Sequence, residues 1–539
     1  MRHASMRTAL ALGLAAALAL AGFATTAAAA PKKGGILKYI IPAEPPSYDG
    51  HRETTFGLVH PIAPFYSLLI RVNPDNPASP TDFVCDVCAE MPKPTDGGKK
   101  YAFKIRKDVK FWDGQPLTAK DVAATWSKIV FPPKGVASAR KGQFHMVSKI
   151  SAPDDETAVF ELKFPSGAFL PALAAPYNFL YSAKKLAQDM HWYEKNILGS
   201  GPFKFKQHQA GAFIEGERNP DYFFKGAPYL DGFHGIFSSK LAVRVNAIRS
   251  GQAYIEFRGF PPSHRDDLKK ALGDKLTVQE SDWNCSLMIA PNHLKKPFDD
   301  PRVRRALTLA VDRWGGSQYL SKTAIVKTVG GVVFPGHPLA AKKAELDKIA
   351  GYWPDIEKSR AEAKRLLKEA GVKEGFEFTL HNRGVDQPYK IVGTWLIDQW
   401  RQVGFKVKQW VQPTGPFYKV LRSRSPQYDV SMDFNCQAVV NPLADVFKFL
   451  STDRSGSNHA NYTDRKVDEL FDKMNRTGDI EEQQKFMREF ERRILDEQAH
   501  YFITLWWYRI IPHRSSVKGW KISPSHYLNQ DLSNIWLEE

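Results

Sequence analysis

Four cysteines carry the most reactive chemistry in this chain: Cys85 and Cys88 in "DFVCDVCAE", Cys285 in "SDWNCSLMIAPN" and Cys436 in "DVSMDFNCQAVVNP". Thiolates serve as nucleophiles, metal ligands or redox centres, whereas in an oxidising compartment the same residues close disulfides. The Cys85-x-x-Cys88 spacing fits a redox motif, half of a zinc site or a small local disulfide. A redox motif wants a helix N-terminus after a buried strand, and "CDVCAEMPKP" runs into prolines instead. No second C-x-x-C or C-x-x-H completes a zinc site, so a local disulfide is expected. The 15 histidines are dispersed, without the i, i+4 spacing of a helical metal site. "SAKK" (residues 182–185) fits S-x-x-K, but K-T-G, G-x-S-x-G and H-E-x-x-H do not occur. An enzyme is not expected, and no cofactor or metal is assigned.

The first residues bear on the compartment. "MRHASMRTALALGLAAALALAGFATTAAAAPKKGG" places Arg2 and Arg7 ahead of an apolar run (residues 8–23), and Ala28-Ala29-Ala30 supplies small residues for cleavage. This is the pattern of a secretory signal peptide, residues 1–30. A single-span anchor is the alternative, but the run is short for a bilayer core of ~30 Å. Lipid attachment would require a cysteine directly after Leu20-Ala21-Gly22, where Phe23 stands. A freely diffusing periplasmic protein is therefore expected, and the even cysteine count then favours disulfides. A chain of 539 residues exceeds the roughly 250–300 at which single cores stop growing, which implies two or more lobes. The formal net charge is +17, yet basic residues are interleaved with acids, as in "DIEKSRAEAKRLLKEAGVKEG" (residues 355–375). That is a solvated surface and not a stripe for nucleic acid.

The elements that must position any site alternate along the chain. "YAFKI" has period-two apolar residues (Tyr101, Phe103, Ile105), Asp113-Gly114 turns the chain, and Thr118 with Asp121 opens a helix. A helix closed by Gly371 precedes the strand "GFEFTLHN", and a second, closed by Gly404, precedes "FKVKQWVQ". That order predicts an α/β lobe with parallel strands. "SGPFKFKQHQAGAFIEGERNPDYFFKG" predicts a hairpin turning near Ala210-Gly211. In "FDDPRVRRALTLAVDR", Asp299 or Asp300 caps a helix beginning at Pro301, with Val303, Ala306, Leu307 and Ala310 on one face. Arg302, Arg304 and Arg305 are expected at the surface or in ion pairs.

Four segments in order, "YAFKIRKDVKFWDGQPLTAKDV", "LGSGPFKF" with "ERNPDYFFKGAPYLDGF", "KKPFDDPRVRRALTLAVDR" and "NYTDRKVDELFDKM", resemble the family 5 solute-binding proteins of bacterial ABC importers, which include dipeptide-, oligopeptide- and nickel-binding members. The resemblance runs over residues 34–520. It implies an α/β, two-lobe Venus-flytrap fold with an extra subdomain in the first lobe and ligand buried between the lobes. The expected division is lobe I over 31–284 plus 511–539, with the subdomain at about 76–198, and lobe II over 285–510. It implies a periplasmic binding component, a monomer, that delivers a small or peptide-like solute to a membrane permease.

The resemblance also bears on residues. In the oligopeptide-binding branch a disulfide joins a cysteine upstream of the "PFDD"-like motif to one shortly before a Pro-containing turn, which implies a Cys285–Cys436 bridge at the rim of the cleft. In peptide-binding members a carboxylate two residues after the rim cysteine receives the peptide's α-ammonium. Ala438 stands at that position here. Strand alternation would turn Asp433, Asn435 and Gln437 to one face, so Asp433 could still meet an amine. Without the usual anchor, a ligand lacking a free α-amine gains weight: an opine, glycoside, cyclic peptide or other amphiphilic molecule. Trp283 and Asn284 beside the rim cysteine, and Trp506, Trp507, Tyr508 and Arg509 on a strand near the C-terminus, are candidate ligand contacts, with core packing the competing reading for each tryptophan. Arg383, Arg422 and Arg424 are candidate carboxylate clamps, against surface placement. Tyr48 and Phe417 complete the expected ligand-facing set. A chaperone or chemosensory protein, or a nickel or haem carrier, remain alternatives.

Overall fold

The computed structural model describes residues 30–439 and 441–538, with nothing said of the side chains of residues 444 and 445. The expected signal peptide therefore lies outside the described residues except for Ala30. Among the described residues no helix is long and apolar enough to cross a membrane.

Two sheets organise the chain. One has four strands in the order Ile36–Ile41, Gly232–Phe237, Phe213–Arg218, Phe203–Gln209, with the first pair parallel and the rest antiparallel. The last two are the hairpin expected from the sequence, and Gly211 at its turn has φ +75°, a left-handed conformation that favours glycine. A three-stranded sheet of Lys100–Lys104, Thr157–Leu162 and Val147–Ser151 carries the helix Ala119–Val130. Asp121 accepts the Thr118 backbone N–H at 2.8 Å, half of the capping box read from the sequence.

The second sheet has six strands in the order Val326–Thr328, Phe502–Arg514, Leu276–Pro291, Val430–Cys436, Glu377–Arg383, Lys406–Gln412. The Glu377–Arg383 strand runs parallel to both of its neighbours, as the strand-helix alternation predicts. Helices Ile356–Glu369 and Ile391–Arg401 feed it, and their C-terminal glycines Gly371 and Gly404 have φ +72° and +97°. The two long strands Leu276–Pro291 and Phe502–Arg514 pair antiparallel from Leu276/Arg514 to Asp282/Tyr508, and the register then shifts before Ser286/Trp506.

Asp300 caps the helix Pro301–Leu309 by accepting the Arg302 N–H at 2.8 Å. The expectation for the three arginines of this helix needs one correction. Arg302 pairs with Asp300 and Arg305 with Asp496, but Arg304 is buried and donates to the carbonyls of Phe298, Asp299 and Gln498. Three loop carbonyls replace solvent for its guanidinium, so it ties the helix to the chain at residue 498 and is not a surface charge.

Candidate functional site

Cys285 and Cys436 face each other across the antiparallel pair of Leu276–Pro291 and Val430–Cys436, and they form a disulfide spanning 151 residues of sequence. Cys85 and Cys88 form the second, local disulfide. Beside the rim, Trp283 donates its indole N–H to His526 Nδ1 at 2.9 Å. Burial holds His526 well below its usual pKa, so the ring is neutral, accepts at Nδ1 and carries its proton on Nε2.

Around the Phe56 ring two guanidinium groups converge. Arg258 lies over it at 4.5 Å and over Trp507 at 4.9 Å, while Arg383 lies over it at 5.1 Å and over Tyr389 at 5.0 Å. Both arginines are completely buried. Arg258 precedes Gly259, whose φ of +145° turns the chain so that the Phe260 N–H reaches the Ile510 carbonyl at 2.9 Å. Arg258 donates Nη1 to the Gln387 carbonyl at 2.5 Å. Arg383, at the end of its parallel strand, donates to the hydroxyls of Tyr389 at 3.2 Å and of Thr55 and Thr414 at 3.1 Å each. Neither arginine is ion-paired with a carboxylate among the described residues. Burial, with the nearby charges of Arg244 and Arg383, lowers Arg258 to about 10 against the opposing influence of Tyr389 and Glu256.

The unsatisfied atoms of this cluster are mostly donors. Arg258 Nε and Nη2, Arg383 Nε, Trp507 Nε1 and His526 Nε2 are buried and have no acceptor among the described residues. Buried polar groups are satisfied in folded proteins, and an orphan donor costs about 1–3 kcal/mol. A set of such donors, three of them on two cations and all linked through neighbouring aromatic rings, is arranged to receive an acceptor-rich anion. Asn435 and Gln437 are also buried without partners for either amide atom, and Asn284 Oδ1 is free while its Nδ2 donates to the Gln437 carbonyl at 3.0 Å.

Asp433 is differently placed. Its Oδ1 accepts from the Tyr418 hydroxyl at 3.0 Å and its Oδ2 lies 3.0 Å from His459 Nδ1. Burial alone would raise its pKa, but the His459 hydrogen bond and the charges of Lys448 and Arg383 outweigh this and lower it to about 2. Ala438 is buried, and its carbonyl accepts from Ser525 at 2.8 Å.

The remaining residues singled out from sequence divide. Trp283, Arg383 and Trp507 belong to the cluster, and Phe417 packs on His381 at 4.6 Å and on Tyr418 at 5.1 Å. The surface alternative for Arg383 is overturned by its complete burial. Trp506 donates to the Gly331 carbonyl and packs on Phe334, and Arg509 spans to the carbonyls of Phe257 and Ser523. Tyr508 turns outward to Glu280 at 3.2 Å. Tyr48 meets His208 on the four-stranded sheet. Arg422 pairs with Glu53 at 2.7 Å, and Arg424 donates to the Ser455 carbonyl at 3.2 Å. Sequence reasoning missed Phe56, Arg258, Tyr389 and His526. The available signal for Arg258 was a lone arginine among aromatics in "YIEFRGFPP", a setting that suits a buried cation.

Comparisons with known proteins agree with this architecture. The family model described as bacterial extracellular solute-binding proteins, family 5 Middle, matches residues 84–457, more than half of the chain. The chain is 27% identical over 478 residues to the oligopeptide-binding protein AppA of Bacillus subtilis, covering 83% of each, and 28% identical over 468 residues to di/tripeptide-binding protein 1 of Pseudomonas aeruginosa, covering 80% of this chain and 82% of that protein. Its fold matches that of AgaA from A. tumefaciens R10 in complex with agropinic acid, with a TM-score of 0.82 at 22% identity, covering 94% of this chain and 99% of that one. The match to the structure of B. subtilis AppA with a nonapeptide has the same TM-score at 21% identity, covering 95% and 100%. The fold is thus the two-lobe α/β fold of periplasmic binding proteins, and the chain belongs to the family 5 extracellular solute-binding proteins, the substrate-capturing components of ABC importers.

Proposed function

We propose that this protein captures an acidic small solute between its lobes, an opine-like or otherwise carboxylate-bearing molecule that needs no free α-amine, and presents it to an importer's permease. The observation that carries this reading is the pair of buried, unpaired guanidinium groups of Arg258 and Arg383, with orphan N–H donors beside them. Two unpaired buried cations are strongly unfavourable, and an anionic ligand supplies the missing charge. Peptide capture by α-ammonium recognition is disfavoured because Ala438 offers no carboxylate and both oxygens of Asp433 are engaged. That AgaA binds agropinic acid on the same fold supports an acidic, non-peptide ligand.

In this reading residues 1–30 are cleaved and no lipid is attached, leaving a periplasmic monomer. Lobe I comprises 31–284 and 511–539, with a subdomain at about 76–198, and lobe II comprises 285–510. These boundaries fall inside the paired strands Leu276–Pro291 and Phe502–Arg514, near their register shift, so the crossing strands act as the hinge for closure. Closure is a population shift driven by ligand affinity for the closed form.

A thermal-shift panel tests the ligand class: agropinic acid, a free-amine dipeptide, its N-acetyl form, nickel ion and haem. A ligand at 100 times its Kd stabilises by about 2.7 kcal/mol. Stabilisation by the acidic compounds, retained on acetylation, is expected. A shift given only by the free-amine dipeptide, by nickel or by haem would overturn the proposal.

A further inference from the structure

A cavity lies apart from the cluster of Arg258 and Arg383. It measures about 50 Å³ and is lined by segments around residues 63–72, 174–179 and 527–531, with Asp86 at its wall. One water requires about 10–15 Å³ on this measure, so the cavity has room for a molecule of a few heavy atoms. Of the residues that line it, only Tyr527 touches the cleft network, through its ring contact with His526 at 4.0 Å.

Its electrostatics are opposite to those of the cleft. Asp86 is 5% exposed; its Oδ2 accepts the Leu68 N–H at 2.7 Å, but its Oδ1 has no partner among the described residues. Arg71, whose charge acts on Asp86, spends Nη1 on Asp531 at 2.8 Å while its Nε has no partner among the described residues, and Asp86 forms no ion pair among them. Gln530 donates Nε2 to the Leu528 carbonyl at 3.1 Å, which fixes its amide, and its buried Oε1 is also without a partner. Two buried acceptors, one of them a carboxylate, are without a donor among the described residues, although the same wall also carries Arg71 Nε and the Tyr66 and Tyr527 hydroxyls. Burial raises Asp86 to about 6, partly offset by Arg71, so it is ionised at neutral pH. The rings of Tyr66 and Phe179, stacked at 4.7 Å, and of Tyr527 complete the wall. Aromatic faces attract organic cations.

We propose that this cavity is a second ligand site that takes the ammonium end of a small primary amine. Asp86 Oδ1 and Gln530 Oε1 accept its N–H groups, and the aromatic wall surrounds its carbons. The site does not depend on the identity of the cleft ligand, since its lining and its charge are its own.

The test is ligand-observed NMR titration of the full protein at pH 7.5 with n-propylammonium, n-propanol and propionate. One molecule of propylammonium is expected to bind, at least tenfold more tightly than either control. Asp86→Asn should weaken it tenfold or more. Gln530→Met should weaken it severalfold and keeps the test open should the Asp86 variant not fold. Absence of binding, equal binding of propanol, or affinity unchanged by the substitutions would overturn the proposal.

Discussion

Arg258 and Arg383 place their guanidinium groups over one ring, that of Phe56, at 4.5 and 5.1 Å from its centroid. They also share Tyr389, at 5.5 and 5.0 Å. Like charges held this way in a dry interior repel, and the aromatic faces offset only part of that cost, about 2 kcal/mol for a desolvated contact. Arg383→Met is therefore expected to change the stability of the ligand-free protein little, relief of the repulsion being offset by the lost bonds to Tyr389, Thr55 and Thr414 and the lost attraction to Asp433, while lowering affinity for an acidic ligand by two or more orders of magnitude. Thermal unfolding with and without ligand reads both effects, and a parallel loss of stability and affinity would argue for a purely structural arginine.

Asp433 contributes stability with a defined pH window. Its pKa is about 2 in the folded protein against an ordinary value near 3.8, so the ionised form is favoured by folding. The sign follows: the contribution, about 2 kcal/mol, is fully present above pH ~4 and disappears as the pH falls towards 2. Asp433→Asn should lose stability at pH 7 and show a flatter acid limb in chemical denaturation between pH 4 and 2. It should not weaken binding of an anionic ligand, because it removes a negative charge near Arg383.

The two disulfides differ in what they constrain. Cys285–Cys436 closes a segment of 151 residues, whereas Cys85–Cys88 spans three. Loop-closure entropy makes the long bridge worth about 4–5 kcal/mol and the short one under about 2. Urea denaturation of Cys285→Ala/Cys436→Ala and of Cys85→Ala/Cys88→Ala should show the larger loss for the first pair. The reverse order would mean that residual structure or strain dominates.

Gly199 and Gly201 cross the backbone at Phe65 so closely that a Cβ on Gly199 would sit 1.9 Å from the Phe65 carbonyl oxygen. No side chain can yield there, because the obstacle is backbone. Gly199→Ala should destabilise by at least the 1–3 kcal/mol typical of overpacking, measurable as a lower urea midpoint with the cleft residues untouched.

The scaffold was legible because its signals are local. Thr118 with Asp121, Asp300 before Pro301, and Gly371 and Gly404 at helix ends each solve a nearby backbone problem, and the structure uses all of them. The Cys285–Cys436 pairing was legible by resemblance. The cluster around Phe56 was not, because it joins residues far apart in the chain, such as Thr55 to Arg383 and Trp283 to His526, and nothing local marks Phe56 or Tyr389 as partners of a cation. Asp433 was singled out as an acid able to meet an amine, and its commitment to Tyr418 and His459 depends on a helix and a loop that periodicity does not place. Arg304 illustrates the converse: helical periodicity turned it outward, and a neighbouring chain segment covered it.

Capture of an acidic solute is tested most directly by native mass spectrometry of the protein purified from periplasm, followed by denaturing release and identification of whatever is bound. The expected result is an acidic molecule with at least one carboxylate or comparable anionic group, lost when Arg258 or Arg383 is replaced by methionine. Release of a neutral or cationic compound, or retention of the acidic one by both variants, would contradict it.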